Sequence, residues 1–318
     1  MHRLYQKDLM RLYQLQVNIP LFQIVLVSFF LMSCKATSIQ SNSLQEVSQK
    51  QSKENLFIID TIQLKSNVFN NTRRIRVLLP PDYYKNNNKY PVLYLNDGVL
   101  VFHAYDIQTI VHELIKSKKI EPIIVVGIDN GASTVESTNP LRDRANEYLP
   151  WEDFFETNEN AKINNPKGKL YPDFLINEVI PLVNSNFRTK KGYKHTGFGG
   201  SSRGALIALY TALKNPKQCS RLLLESPSLY VHNQEILKIS RGKNKWPQRV
   251  YIGIGTEEGD TFQIKKMAVE DAENLKNIIQ NNASKTKVNY LLDNEGKHSF
   301  EDFAKRFPKA LEFLYGKN

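Results

Sequence analysis

Gly200-Ser201-Ser202-Arg203-Gly204 brackets a serine with two glycines at the spacing G-x-S-x-G. A serine hydroxyl is a weak nucleophile unless a neighbouring base takes its proton. This spacing supplies the geometry for such chemistry. A sharp turn between a strand and a helix pushes the hydroxyl out above the sheet, and the flanking glycines let the backbone pack where a Cβ would not fit. The context suits it. Lys194-His-Thr-Gly-Phe-Gly199 reads as a strand, and Ala205-Leu-Ile-Ala-Leu-Tyr-Thr-Ala-Leu213 reads as a helix stopped by Asn215-Pro216. Ser202 is therefore the expected nucleophile. Ser201, flanked by Gly199-Gly200 and Ser202-Arg203, lacks the second glycine.

Behind such an elbow the acid and then the histidine follow in chain order. Only His232 and His298 lie downstream. His298, in Asn294-Glu-Gly-Lys-His-Ser-Phe300, falls between the last strand and the last helix and is the expected base. His232 is read as a surface or pocket-wall residue, His195 and His112 as structural, and His103 as a residue near the mouth. The acid should follow the strand Arg249-Val-Tyr-Ile-Gly-Ile-Gly255. Thr256-Glu257-Glu258-Gly259-Asp260 offers three carboxylates there, with Glu258 preferred over Glu257 and Asp260. One of them would orient the imidazole and stabilise its cation. An oxyanion hole needs two backbone N–H groups aimed at one point. The first is expected from Arg203, the second from the loop Asn96-Asp97-Gly98-Val99-Leu100.

These residues need a sheet to hold them. Strand-like runs occur at 57–64, 74–79, 91–96, 122–127, 194–199, 221–225, 249–254 and 287–292. Helical spacing occurs at 105–118, 172–186, 203–214, 263–280 and 300–314. Several of the strand runs are apolar throughout, as parallel strands buried on both faces are. Strands alternating with helices predict an α/β fold with a mostly parallel central sheet and helices on both faces. Residues 130–170 read as a long polar loop, a candidate lid or substrate wall.

In this order, the segments resemble the esterase family of α/β-hydrolases that includes esterase D-like enzymes, enterochelin esterases, feruloyl esterase domains and mycolyltransferases. The likeness covers roughly residues 70–315. It rests on Tyr90-Pro-Val-Leu-Tyr-Leu-Asn-Asp-Gly98, Ile123-Ile-Val-Val-Gly-Ile-Asp129, Arg144-Ala-Asn-Glu-Tyr-Leu-Pro150, Asp173-Phe-Leu-Ile-Asn-Glu-Val-Ile-Pro181, the elbow, Ser226-Pro-Ser228 and Gly296-Lys-His298. The resemblance implies that Val99 gives the second oxyanion N–H and that the acid, three residues past Gly255, is Glu258. It also sets Arg144 and Glu147 in an Arg-x-x-Glu pattern that either lines a substrate groove or pins the long loop by an ion pair. Two positions depart from the family: Arg203 stands where methionine is usual, and Asn96 where leucine is common. Cys219 takes the place of a buried aromatic and is read as core. Trp151 and Tyr230 are candidate aromatic faces for a substrate.

The rest of the chain narrows the function classes. Composition is ordinary for a globular protein, at 41% hydrophobic and 24% charged, which argues against disorder and a multi-pass membrane protein. Two cysteines exclude a disulfide scaffold and a cysteine-built zinc site. Of the net charge of +11, the +9 beyond residues 1–33 is spread thinly, without basic stretches interleaved with aromatics, so no nucleic-acid partner is expected. At the N-terminus, His2, Arg3, Lys7 and Arg11 precede an apolar run from Ile19 to Met32. That run suits a signal peptide better than a membrane span. Leu31-Met32-Ser33-Cys34 resembles a bacterial lipobox, which implies lipidation at Cys34 and a membrane-anchored, extracytoplasmic protein. The expected organisation is a signal peptide over 1–33, a flexible tether over 34–55 and an α/β-hydrolase domain over 56–318. The expected activity is that of a serine esterase acting through an acyl-enzyme, without cofactor or metal, on a small-molecule or polysaccharide-linked ester. An acyltransferase and a non-catalytic binding lipoprotein are the alternatives.

Overall fold

The computed structural model describes residues 58–134, 137, 139–154 and 162–316. The apolar N-terminal run, Cys34 and the tether lie outside them. One eight-stranded sheet organises the described residues. Its first two strands, β1 (Ile58–Ser66) and β2 (Asn71–Leu79), form an antiparallel hairpin at one edge. The other six are β3 (Val92–Asn96), β4 (Ile124–Ile128), β7 (Thr196–Ser201), β8 (Arg221–Glu225), β9 (Arg249–Glu257) and β10 (Lys287–Lys297). Two-residue strands β5 (Asp153–Phe154) and β6 (Lys162–Ile163) pair separately. The spatial order is β1-β2-β4-β3-β7-β8-β9-β10, parallel from β4 onward. From β3 the chain crosses first to β4 on one side and later to β7 on the other. Such a reversal opens a crevice at the carboxyl ends of the strands, where ligands bind in open α/β sheets.

Every residue of β3, β4 and β7 is buried. This is why those strands read as unbroken apolar or glycine-rich runs. The helices are α1 (Gly98–Ala104), α2 (Ile107–Lys116), α3 (Pro140–Tyr148), α4 (171–186), α5 (Arg203–Lys214), α6 (Val231–Arg241), α7 (Phe262–Asn282) and α8 (Phe300–Tyr315). They cover both faces, with two apolar clusters, one on each side of the sheet. The α/β expectation therefore holds. The helix expected at 172–186 contains a π segment at Phe174–Val179. The stretch read as an irregular loop over 130–170 carries α3 instead. Its Asn139 caps the first turn and Pro140 starts the helix, a position where proline's fixed φ is an advantage.

Candidate active site

The elbow is built by close backbone packing. β7 ends at Ser201 and α5 begins at Arg203, with Ser202 between them at φ 57° and ψ −125°. Few side chains tolerate that region, and the strain is held by surrounding contacts. A Cβ on Gly200 would lie 2.7 Å from Gly204 C, and one on Gly204 would lie 2.9 Å from Asp97 Oδ2. Both glycines of the motif are thus dictated by sterics. Asn96 donates from Nδ2 to Gly204 O at 2.7 Å and accepts from the Tyr171 hydroxyl at 2.5 Å. A leucine there could do neither, so asparagine ties the end of β3 to the start of the elbow helix.

Histidine and acid arrive by a register device. β10 runs parallel to β9 in step as far as Asp293↔Gly255, then bulges and resumes with Lys297↔Glu257. Bulges of this kind re-aim side chains. The residue just past each strand is His298 on one side and Glu258 on the other, so the two meet. A Cβ on Gly255 would overlap Gly296 O; the two backbones touch there. Ser299 then caps α8 by accepting from Asp302 N, while Asp302 Oδ2 accepts from Lys297 N at 3.0 Å. These two bonds on either side of His298 fix the exit of the chain into α8.

The result is a continuous hydrogen-bonded line. Ser202 Oγ lies 3.0 Å from His298 Nε2, and His298 Nδ1 lies 2.6 Å from Glu258 Oε2. Glu258 Oε1 accepts from Ser226 Oγ at 2.6 Å and from Gly255 N at 2.8 Å. Burial works to raise the Glu258 pKa, but the His298 charge and the hydrogen bonds from His298, Ser226 and Gly255 outweigh it. The carboxyl is held below its ordinary value and stays ionised. Of the other two carboxylates, Glu257 pairs with Lys265 and Asp260 is exposed. Among the described residues, no group of three or more His, Cys, Asp or Glu side chains could hold a metal ion.

Arg203 occupies the first position of α5, and Val99 the second position of α1. N–H groups in a helix's first turn have no carbonyl of their own helix to meet. Both helices start at the carboxyl end of the sheet, beside Ser202. Asp97, at φ 61°, carries the turn into α1. Its carboxylate is gripped by Arg144, through Nε to Oδ1 at 2.7 Å and Nη2 to Oδ2 at 2.6 Å, and by Asn130 Nδ2 at 2.6 Å.

Arg144 is 3% exposed, so it lies beneath the loop and braces it instead of lining a groove. Its neighbour Glu147 pairs with Arg73 at 2.5 Å and accepts from Gly131 N at 2.7 Å. The Arg-x-x-Glu pattern thus pins the segment through two separate partners. Trp151 is half-buried, edge-on to Tyr210 and stacked on His232 with centroids 6.4 Å apart. His232 Nδ1 donates to Glu152 O at 3.0 Å. Tyr230 stands 43% exposed, two residues past Ser228. Cys219 is fully buried, and burial pushes its thiol pKa far up.

Several neighbours of the site received no role from sequence reasoning. Ser228 Oγ lies 3.3 Å from Ser202 Oγ, and Ser226 bonds Glu258. Both sit in the Ser-Pro-Ser segment after β8, whose place following a buried strand was the available signal. Arg306, which donates to Glu225 and Ser226 across 81 and 80 positions, gave none.

A family model described as “Putative esterase” matches residues 66–314. The uncharacterized protein YbbA of Bacillus subtilis is 25% identical over 249 residues, 77% of this chain and 94% of that protein. A solved ferulic acid esterase superposes with a TM-score of 0.61 at 16% identity, covering 81% of this chain and 98% of its own. The enterobactin esterase FES from Shigella flexneri, solved in the presence of enterobactin, gives 0.62 at 19% identity, covering 81% and 58%.

Proposed function

This chain belongs to the “Putative esterase” family of α/β-hydrolases and is a serine esterase; we propose that Ser202, His298 and Glu258 are its triad and that hydrolysis passes through an acyl-enzyme. The observation that carries the reading is the line from Ser202 Oγ through His298 to Glu258, at 3.0 and 2.6 Å. In this mechanism Glu258 accepts Nδ1–H and leaves Nε2 free to take the serine proton. Ser202 attacks the ester carbonyl, and the N–H groups of Val99 and Arg203 receive the oxyanion. His298 then gives its proton to the leaving alcohol and activates a water that releases the acid. No cofactor takes part in these steps.

The substrate in this reading is a small-molecule or polysaccharide-linked carboxylic ester. Tyr230, exposed two residues past the Ser228 that meets Ser202, offers an aromatic face, which suits an aryl or other flat acyl group. The ferulic acid esterase of similar fold is named for an aryl acid of this kind. Lipidation at Cys34 would place the enzyme outside the cytoplasm on a membrane, with residues 35–55 as the tether.

Ser202→Ala tests the core of the proposal. We expect hydrolysis of p-nitrophenyl acetate to fall by at least ~10³-fold, with an unchanged melting curve and no labelling by a fluorophosphonate. Near-wild-type turnover would end the reading. A dead Ser201→Ala beside an active Ser202→Ala would move the nucleophile by one residue.

A further inference from the structure

We propose that Arg306 is a positioning residue for catalysis, one buried guanidinium that fixes both the acid and the histidine loop; this rests on the triad reading above. Arg306 lies in α8, two turns past His298, and is 2% exposed. It faces the carboxyl ends of three strands at once. At β8, its Nε and Nη2 reach Glu225 Oε1 at 2.7 and 2.6 Å. At β10, its Nη1 reaches Asp293 Oδ2 at 3.1 Å. Beyond β9, its Nη2 stands 3.8 Å from Glu258 Oε1. The same nitrogen donates to Ser226 Oγ at 3.1 Å, and the Ser226 hydroxyl donates in turn to Glu258 Oε1 at 2.6 Å. Arg306 and Ser226 on one side and Ser202 and His298 on the other thus form two hydrogen-bonded arms that meet on the Glu258 carboxylate.

The packing shows that this guanidinium shapes the histidine loop as well. A Cβ on Gly296 would fall 2.7 Å from Arg306 Nη1 and 2.7 Å from Asp293 Oδ2, so the backbone two residues before His298 lies directly on the ion pair. Arg306 also covers the ring of Phe303 at 5.6 Å, and Phe303 meets His298 edge-on at 5.1 Å. Ser226 keeps φ at 41°, a conformation few non-glycine residues adopt. The strain turns its hydroxyl between Arg306 and Glu258.

The requirement is for a planar fork as well as for charge. A guanidinium can hold two carboxylates and a hydroxyl in one plane, whereas a lysine ammonium is a point donor on a flexible stem. The groups facing Arg306 are Glu225 on β8, Tyr251 on β9, Glu258 beyond it and Asp293 on β10. Asp293 also has Lys305 at 3.9 Å, and His298 follows behind Glu258. Three carboxylates converge on one cation. Removing that cation takes a positive charge from beside Glu258 and raises the pKa of its carboxyl; burial already pushes Glu225 up to about 7 against the opposing pull of Arg306. The acid limb of the kcat/KM profile must therefore move to higher pH.

Two substitutions separate charge from geometry. Arg306→Met removes both; we expect kcat to fall at least tenfold and the acid limb to rise by about 1 pH unit. Arg306→Lys keeps the charge and loses the fork; we expect kcat to fall with the limb within ~0.3 unit of wild type. KM should stay within about threefold in each, because Arg306 touches no substrate. Melting curves and the fraction labelled by a fluorophosphonate correct for unfolded protein. If Arg306→Met does not fold, Arg306→Lys and Ser226→Ala decide the matter: both must lower kcat per labelled site. Full kcat per labelled site in the variants, or an equal loss in both Arg306 variants with unmoved limbs, overturns the proposal. An active Ser202→Ala overturns the triad with it; an inactive one leaves the triad standing and assigns the failure to Arg306 alone.

Discussion

Replacing Glu258 by glutamine asks one oxygen to do the work of two. The native carboxylate meets three donors: His298 Nδ1 at Oε2, and Ser226 Oγ with Gly255 N at Oε1. An amide has one acceptor end and one donor end. Keeping its oxygen toward Ser226 and Gly255 saves two bonds against one, so the NH2 turns toward His298. Nδ1 must then become the acceptor and the ring proton moves to Nε2, where it points at Ser202 Oγ, 3.0 Å away. A histidine in that tautomer cannot take the serine proton. The comparable acid-to-amide change in a serine protease triad lowers kcat by ~10⁴, equivalent to ~5.5 kcal/mol at about 1.4 kcal/mol per tenfold. Loss of a charge-assisted bond should also cost ~1.5–3 kcal/mol of stability. The sign of its pH dependence follows from the depressed Glu258 pKa. The stabilisation is present above the unfolded carboxyl pKa of about 4.3 and is lost as pH falls through the lower folded value. The stability gap between wild type and Glu258→Gln should therefore close in acid. Steady-state hydrolysis of p-nitrophenyl acetate and urea melts at pH 7 and pH 3 measure both effects. Glu257→Gln is the control, since its partner is a half-exposed lysine, and its kcat should not change. Retention of more than a tenth of wild-type kcat in Glu258→Gln, or a dead Glu257→Gln, would refute the reasoning.

Gly204→Ala should lower stability by ~1–3 kcal/mol and kcat more than tenfold with little change in KM. The new methyl meets Asp97 Oδ2 at 2.9 Å, and Arg144 and Asn130 keep that carboxylate from yielding; unchanged melting and turnover would contradict the packing account. Cys34→Ala, expressed in a bacterial host, should move the protein from the membrane to the soluble extracytoplasmic fraction with its esterase activity intact, because stable anchoring rests on more than one acyl chain. Wild-type protein found in the cytoplasm with residues 1–33 still attached would remove the lipoprotein reading.

What the sequence disclosed and what it hid divide along a physical line. Strands buried on both faces announce themselves as apolar runs, so β3, β4 and β8 were legible. The elbow was legible because sterics at Gly200 and Gly204 leave only glycine. Helix α3 was not, for its buried face includes Arg144 and Glu147, which hydrophobic periodicity counts as solvent-facing. Helix α6 was hidden by the three left-handed residues His232, Asn233 and Gln234 at its start. Helix α1 is seven residues long, too short to show a period.

The same division explains why the supports of the site are harder to read than its reacting groups. A serine, a histidine and an acid are recognisable by type and order along the chain. Asp97, Arg144, Ser226, Glu225 and Arg306 act only through partners brought near by the sheet: Arg144 meets Asp97 across 47 positions and Arg306 meets Glu225 across 81. Yet these ion pairs are almost wholly buried, where breaking one partner costs ~3–5 kcal/mol while the intact pair adds little to stability. That asymmetry suits a device for position. Asp97 and Arg144 hold the loop that carries Val99, and Arg306 holds the strand ends that carry Glu258 and His298. Each cation is buried and sets the geometry of other groups without meeting substrate itself.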